Sequence, residues 1–463
     1  MNPLARREFM RGAAGFAVLA AAGGAHAQPA SRFLGSDIGQ LGRVLVHSLT
    51  EQDTGHDRLW SGLLPNAGSD MPAAVGQHRA LMGLLRAAGA RPVELVDALD
   101  AAIAATRPSG VFEAWLRASF PRLAGEPDRV TSAMLLGRVP ELQFALGPDG
   151  SWRAAADPTN STMWTRDSAV MTPMGLLICN SASAGRRREN MLLRFVYRHS
   201  PLLADFPIVF DAVEEGLIVE GGDMMIVSPT MMFLGVGNRS DPRIAPVLAR
   251  RLGMDVLTVQ TVDREFLGQP RQQPDESLWQ LRVLLLHLDT FFTHVAPRHG
   301  LAIPFLLEKD HAEDNPLARF IRGARADTLL KEEEAKGALE MLKGFGKVTL
   351  YRRGSGARDA LGDLKLVDWL RQERYRLTWV GGQRPRGEAE GFRHFMQVAY
   401  PELRRQAANV VQAQPGRVIA YAGNPATRAA LEADGVGVDT FEARELWAWH
   451  GGPHCLTQPL ERS

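Results

Sequence analysis

The chain has 463 residues, with 53 Lys and Arg against 52 Asp and Glu, a formal net charge of +1. That balance, with no polybasic tract and no basic stripe interleaved with aromatics, argues against nucleic acid as a partner. A hydrophobic share of 45% and a charged share of 23% are those of a soluble globular protein, long enough for one large domain or two to three ordinary ones.

Residues 1–27 read as an address. Arg6-Arg7-Glu8-Phe9-Met10-Arg11 fits a twin-arginine export signal, and an apolar stretch from Gly12 to Gly24 follows. Ala25-His26-Ala27 is a small-residue cleavage site, which puts the mature start at Gln28. The stretch is too short and too rich in Ala and Gly for a stable membrane anchor, and no other segment approaches ~18 uninterrupted apolar residues. The expectation is a periplasmic protein handed to the twin-arginine export machinery, with residues 28–463 as one domain.

Gly42–His47 reads as a first buried strand. Three later stretches share one pattern, an amphipathic helix stopped by a glycine and followed by a β-branched run: 81–96 around Gly89, 247–259 around Gly253, and 428–441 around Gly435. This hints at a repeated α/β architecture, although a doubly wound sheet gives the same local signal. The block from about 98 to 146 is helix-rich. Gly175–Asn180, with Cys179 inside it, reads as a buried strand, as do Leu217–Glu220, Met224–Val227 and Thr230–Gly237. Residues 312–347 are charged and helical, with Lys331–Lys336 as a solvated face. Asp310, His311, Glu313 and Asp314 lack a second His at ligand spacing, so no metal site is expected there.

Only two cysteines are present, Cys179 and Cys455. Export favours disulfides, so a Cys179–Cys455 pair stays open, but it would silence any reactive thiol. Cys455 follows Gly451-Gly452-Pro453-His454, a bend whose glycines permit backbone angles that other residues resist. A thiol presented there is a candidate nucleophile if a base lies nearby. Four other blocks precede it in order: Met163-Trp164-Thr165-Arg166-Asp167, Glu220-Gly221-Gly222-Asp223, Asn238-Arg239-Ser240 and His287-Leu288-Asp289-Thr290. Singly, each has a plainer reading. Arg166-Asp167 suits a surface ion pair, Gly221-Gly222 a hairpin turn with Glu220 and Asp223 solvated, His287 a core histidine, and Arg186-Arg187-Arg188 a solvated basic face.

In that order, and ending in Gly-Gly-Pro-His-Cys, the five blocks resemble the arginine deiminase family, from about Gly35 to the C-terminus. The resemblance implies an α/β propeller of five ββαβ modules (pentein-like) around a polar pocket, with the helical block at about 98–146 as a small insertion. It implies a hydrolase that needs no metal and no cofactor. A guanidinium is planar and poorly electrophilic, so its hydrolysis needs carboxylates that hold its nitrogens, a strong nucleophile at its central carbon and an acid for the departing ammonia. By the resemblance, Cys455 is the nucleophile that forms an S-amidino intermediate, His287 the general acid and then base, Glu220 its supporting carboxylate, and Asp167 with Asp289 the clamp. Asp289 lies two residues after His287, as on one face of a strand. Arg186 and Arg239 match residues that bind a substrate α-carboxylate.

Two departures touch recognition. The family usually has Arg where this chain has His450, and Asn six residues before the clamping Asp, where this chain has Ser161 with Asn160 beside it. Trp164 replaces the more usual Phe. The leading expectation is hydrolysis of L-arginine to citrulline and ammonia. A methylated or peptidyl arginine, transfer of the amidino group to an amine, and a guanidine-binding protein without turnover stay open. So does whether the chain forms a homo-oligomer.

Overall fold

The computed structural model describes residues 35–53, 70–138, 144–146, 152–154, 162–183, 186–262, 285–307, 315–327 and 331–463, all within one compact unit. Residues 1–27, read above as an export signal, and Asp310, His311, Glu313 and Asp314 lie outside them. The chain is mixed α/β, built from several small sheets. Among the described residues, five sheets repeat one topology. Two strands pair antiparallel, and a third, reached through helix, lies parallel to the second. The antiparallel pairs and their third strands are Ala169–Thr172 and Gly175–Ile178 with Ile208–Asp211, and Phe292–Ala296 and His299–Ala302 with Arg376–Trp379. Val411–Gln414 and Arg417–Tyr421 join Gly437–Phe441. Met224–Ser228 and Met231–Val236 join Asp255–Gln260, a sheet that Lys347–Tyr351 and Arg358–Lys365 extend. In the remaining sheet Leu41–Val46 pairs antiparallel with Gln458–Arg462, from the other end of the chain, and parallel with Arg91–Glu94.

The local sequence explains the connecting helices. Met71–Ala87 begins where the Asp70 side chain accepts the Ala73 amide at 3.0 Å, with Pro72 in the first turn. Its buried residues Ala74, His78, Leu81, Met82 and Leu85 recur at helical spacing. It ends before Gly89, whose φ of 89° leads into Arg91–Glu94. Gly253 (φ 59°) and Gly435 (φ 83°) turn Ile244–Arg251 and Pro425–Ala433 into their strands in the same way, as the sequence pattern predicts.

Three expectations need correcting. The helical block starts at Leu95, directly after the strand, because Leu95, Ala98, Leu99, Ala102 and Ile103 form a buried helical stripe; its far end, Phe144–Leu146, is a strand paired with Trp152–Ala154. Leu217–Glu220 is not a strand: it makes a single bridge, Asn180 to Val219. Leu288–Thr290 is one 3-10 turn, so His287 and Asp289 do not share a strand face.

Glu402 ties two elements of the last sheet's surroundings. Buried, it accepts the Ala426 and Thr427 amides at 2.8 Å each and the Thr427 hydroxyl at 2.5 Å, capping the helix Pro425–Ala433 from outside. Glu402→Ala is expected to cost roughly 2 kcal/mol in urea unfolding, since the helix N-terminus loses its acceptor. An unchanged midpoint would refute this.

Candidate active site

Cys455 lies between the short helix Arg444–Ala448 and the strand Gln458–Arg462. The positive φ in this loop belongs to His450, at 65°, and not to the glycines. Gly451 and Gly452 serve close approach instead. A Cβ on Gly451 would sit 2.0 Å from the Trp164 ring, and one on Gly452 2.5 Å from Asn409 Oδ1. The Tyr421 hydroxyl donates to the Gly451 carbonyl at 2.9 Å. The Cys455 amide donates to Asn409 Oδ1 at 3.1 Å, and the Asn409 amide donates to the Asp289 carbonyl at 3.1 Å. The loop thus delivers the thiol to a carboxylate, with Sγ 3.6 Å from Asp289 Oδ2. Both Cys179 and Cys455 are free.

Gly221–Asp223 is a buried 3-10 turn, not a solvated hairpin. The Gly222 amide donates to Asp167 Oδ1 at 3.2 Å, and a Cβ there would lie 2.7 Å from His287 Nδ1. His287 is held between two acids: Nε2 is 2.8 Å from Glu220 Oε2 and Nδ1 is 3.7 Å from Asp167 Oδ1. Glu220, fully buried, also accepts the Ala182 amide at 3.0 Å and faces Arg239 at 3.5 Å. Asp223 fixes the turn that carries His287, accepting the Ser240 hydroxyl at 2.6 Å and the Leu288 amide at 3.0 Å. The two halves meet electrostatically, since the Asp167 charge reaches Cys455 and the His287 charge reaches Asp289.

Burial opposes charge on His287, yet Asp167 and the hydrogen-bonded Glu220 outweigh it and push the imidazole up to about 9. Burial likewise opposes ionisation of Glu220, but Arg239 and His287 hold its carboxyl well below the usual range. For Cys455, burial, then Asp289 and Asp167, all act in one direction and keep the thiol protonated well above its ordinary value. At neutral pH the site therefore holds an imidazolium, a neutral thiol and a ring of acids.

The remaining expected residues divide. Arg186 is half-buried while Arg187 and Arg188 are exposed. It donates to Asp167 Oδ2 at 2.6 Å and to Glu189 Oε2 at 3.0 Å. Trp164 packs against Gly451. His450 is kept neutral, pulled down to about 4 by burial and by Arg404. Asn160 and Ser161 lie outside the described residues. Asp167, Glu220 and His287 offer ligand atoms within 4.8 Å of one another. With Arg186 on Asp167, Arg239 on Glu220 and the imidazole protonated, three cations already face the two acids of that cluster, which competes with a metal cation. Arg166, Asp223, Ser240 and His454 stand inside the blocks quoted above but receive no site role from the sequence, and Asn409 is not singled out by it at all. Arg166 is no surface partner of Asp167: it is buried, and its guanidinium meets the His454 ring. Adjacency to Asp167 and Cys455 was the available signal for two of these, and Asn409 had none.

His287 has a pH consequence. Its folded pKa of about 9 exceeds the unfolded ~6.5, so its stabilisation is complete below about pH 6.5 and is lost as pH rises through about 9. Asp223, raised to about 7 mainly by burial, has the same sign at lower pH: its folded carboxyl holds its proton more tightly than the unfolded one, so stability falls as pH rises from the unfolded ~3.9 to about 7. Urea unfolding between pH 7 and 9.5 should therefore show a fall of roughly 2–3 kcal/mol that His287→Asn largely abolishes. An imidazole titrating near 6.5 by NMR would contradict it.

The chain matches the family model described as "Arginine deiminase" over residues 140–338 and 397–462. It is similar to a putative arginine deiminase from Mycoplasma pneumoniae (26% identity, 92% of this chain and 97% of that protein) and to an arginine deiminase from Rhodococcus erythropolis (26%, 92% and 96%). Among solved structures it is similar to a cysteine-to-serine variant of DDAH from Pseudomonas aeruginosa complexed with citrulline, at 14% identity and a TM-score of 0.43, over 90% of this chain and 99% of that one. With its family model covering more than half of the sequence, the chain belongs to the arginine deiminase family.

Proposed function

We propose that this protein hydrolyses L-arginine to citrulline and ammonia through an S-amidino-cysteine intermediate. At the coarser level the chain is a hydrolase acting on C–N bonds of guanidino compounds. The observation that carries the finer reading is the buried convergence of Cys455 on Asp289 and of His287 on Asp167 and Glu220. Asp167 and Asp289 would hold the guanidinium nitrogens, and the added cation would ease transfer of the thiol proton to water, which the same acids oppose without it. The thiolate bonds to the central carbon. His287, already protonated, gives its proton to the leaving nitrogen, and the C–N bond breaks to release ammonia. The neutral imidazole then takes a proton from water as its oxygen adds to the same carbon. The C–S bond breaks as the added hydroxyl gives its proton to water, returning the thiolate and leaving the ureido product.

Arg186 and Arg239 would turn to the substrate α-carboxylate, and Arg186 would leave Asp167 when a substrate guanidinium arrives. A second reading, another guanidine as substrate, is favoured by His450, whose neutral ring supplies no charge to a carboxylate. We also propose that the five sheets close as an α/β propeller. Phe292–Ala296 lies against both Met224–Ser228 and Arg417–Tyr421, Leu41–Val46 against Val411–Gln414, and Gln458–Arg462 against Ala169–Thr172, which supports a ring.

The test is a panel of guanidines, including L-arginine, methylated arginines and agmatine, assayed under reducing conditions for ammonia and ureido products. Cys455→Ala is expected to lower turnover more than ~1000-fold while binding persists. Full activity in that variant, or no ammonia from any guanidine with the wild type, would defeat the reading. Export rests on Arg6-Arg7 and Ala25-His26-Ala27. Arg6→Lys with Arg7→Lys should hold the chain in the cytoplasm, and periplasmic recovery of that variant would count against a twin-arginine route.

A further inference from the structure

Asp289 is held unequally. Its Oδ2 meets His454 Nδ1 at 2.8 Å and Cys455 Sγ at 3.6 Å, whereas its buried Oδ1 has no hydrogen-bond partner among the described residues. The Arg166 guanidinium spans the His454 ring: its Nη2 meets Nε2, and its Nε lies 3.4 Å from Nδ1. Nδ1 also faces the Asp289 carboxylate, an acceptor at the shorter 2.8 Å, which places the proton of a neutral ring on Nδ1 and leaves Nε2 to accept from Arg166. Burial and Arg166 both act to keep that ring neutral. Arg166 is buried and lies 3.7 Å from Asp37 Oδ1. Asp37 accepts the Ile226 amide at 2.6 Å, and its own amide donates to the Ile226 carbonyl at 2.7 Å, which anchors it to the strand Met224–Ser228. A line of contacts therefore runs from that strand through Asp37, Arg166 and His454 to the acid beside the thiol.

We propose that His454 is a positioning residue: Arg166 fixes its tautomer, and its Nδ1–H holds one oxygen of Asp289 so that the other is presented to the substrate guanidinium. The acid needs such a holder, because a lone buried carboxylate rotates toward whichever donor is nearest and is costly to leave unpaired. The tautomer matters as much as the distance. With the proton on Nε2 the ring would face Asp289 with a lone pair and would repel it. Because Nδ1–H is neutral, it orients Asp289 without cancelling the negative charge that a substrate cation requires. This inference rests on Asp289 binding guanidinium, as in the function proposed above.

The test compares His454→Phe, which keeps a ring and removes both nitrogens, with His454→Asn, whose amide can donate from near the Nδ1 position. Both are measured for kcat and KM on L-arginine, for thermal unfolding, and for L-arginine affinity by calorimetry in a Cys455→Ala background. His454→Phe should raise KM and Kd at least tenfold, more than it lowers kcat, and His454→Asn should recover most of the affinity. Equal affinity in wild type and His454→Phe overturns the inference, as does a loss in His454→Asn as large as in His454→Phe. If His454→Phe does not fold, His454→Asn decides alone, and a loss of affinity beyond tenfold refutes the role. A wild type that binds L-arginine without releasing ammonia defeats the hydrolytic reading and leaves the affinity comparison to judge His454. A wild type that neither binds nor turns over L-arginine overturns the inference as stated, and the guanidine panel then judges the functional reading.

Discussion

The antiparallel pairing of Gln458–Arg462 with Leu41–Val46 positions the proposed nucleophile. Cys455 stands three residues before that strand, on a loop with little room to adjust. The strand's far end is fastened as well. Arg462, buried, donates to the carbonyls of Gly39 and Gln412 at 2.6 and 2.7 Å, and Ser463 and Gln40 exchange backbone hydrogen bonds. Val44, Leu45 and Leu460 are fully buried there. The thiol therefore inherits the rigidity of a sheet that joins the first described strand to the last. Trp164 and Asn409 close the glycine pair from either side.

Charge is the second constraint. Asp167, Glu220, Asp223 and Asp289 are all buried in one region. Such groups persist only when opposite charges and hydrogen bonds surround them. Arg186, Arg239 and His287 supply the charges, and Ser240 and the backbone amides of Ala182, Gly222 and Leu288 supply further hydrogen bonds. The arrangement is a site in which Arg186 and Arg239 already pair Asp167 and Glu220, while Asp289 meets the neutral His454 ring. A substrate guanidinium would then exchange with one of those cations and not enter a bare anionic cavity.

Much of this was legible in the residues. The helix, glycine and strand successions at Gly89, Gly253 and Gly435 follow from left-handed caps that a glycine accommodates cheaply. The five ordered blocks named Asp167, Glu220, His287, Asp289 and Cys455, and the structure brings them together. What could not be read is tertiary. Periodicity cannot show that Asp289 leaves a 3-10 turn and not a strand, because the alternation expected of a strand is the same over three residues. Nor can it show that Gly451 is required by an indole nearly three hundred residues away in sequence. Asn409 carries no local mark of its task, and Arg166 is marked only by its place beside Asp167, since each acts through a neighbour supplied by another part of the chain.

The shielding of Cys455 has one more consequence. Oxidants and disulfides attack a thiolate far faster than a thiol. Enclosure and the flanking acids keep this sulfur in its unreactive form, so it resists sulfenic acid formation and mixed disulfides while the pocket is vacant. Reactivity would then appear only together with the cation meant to consume it, a built-in safeguard for a sulfur nucleophile.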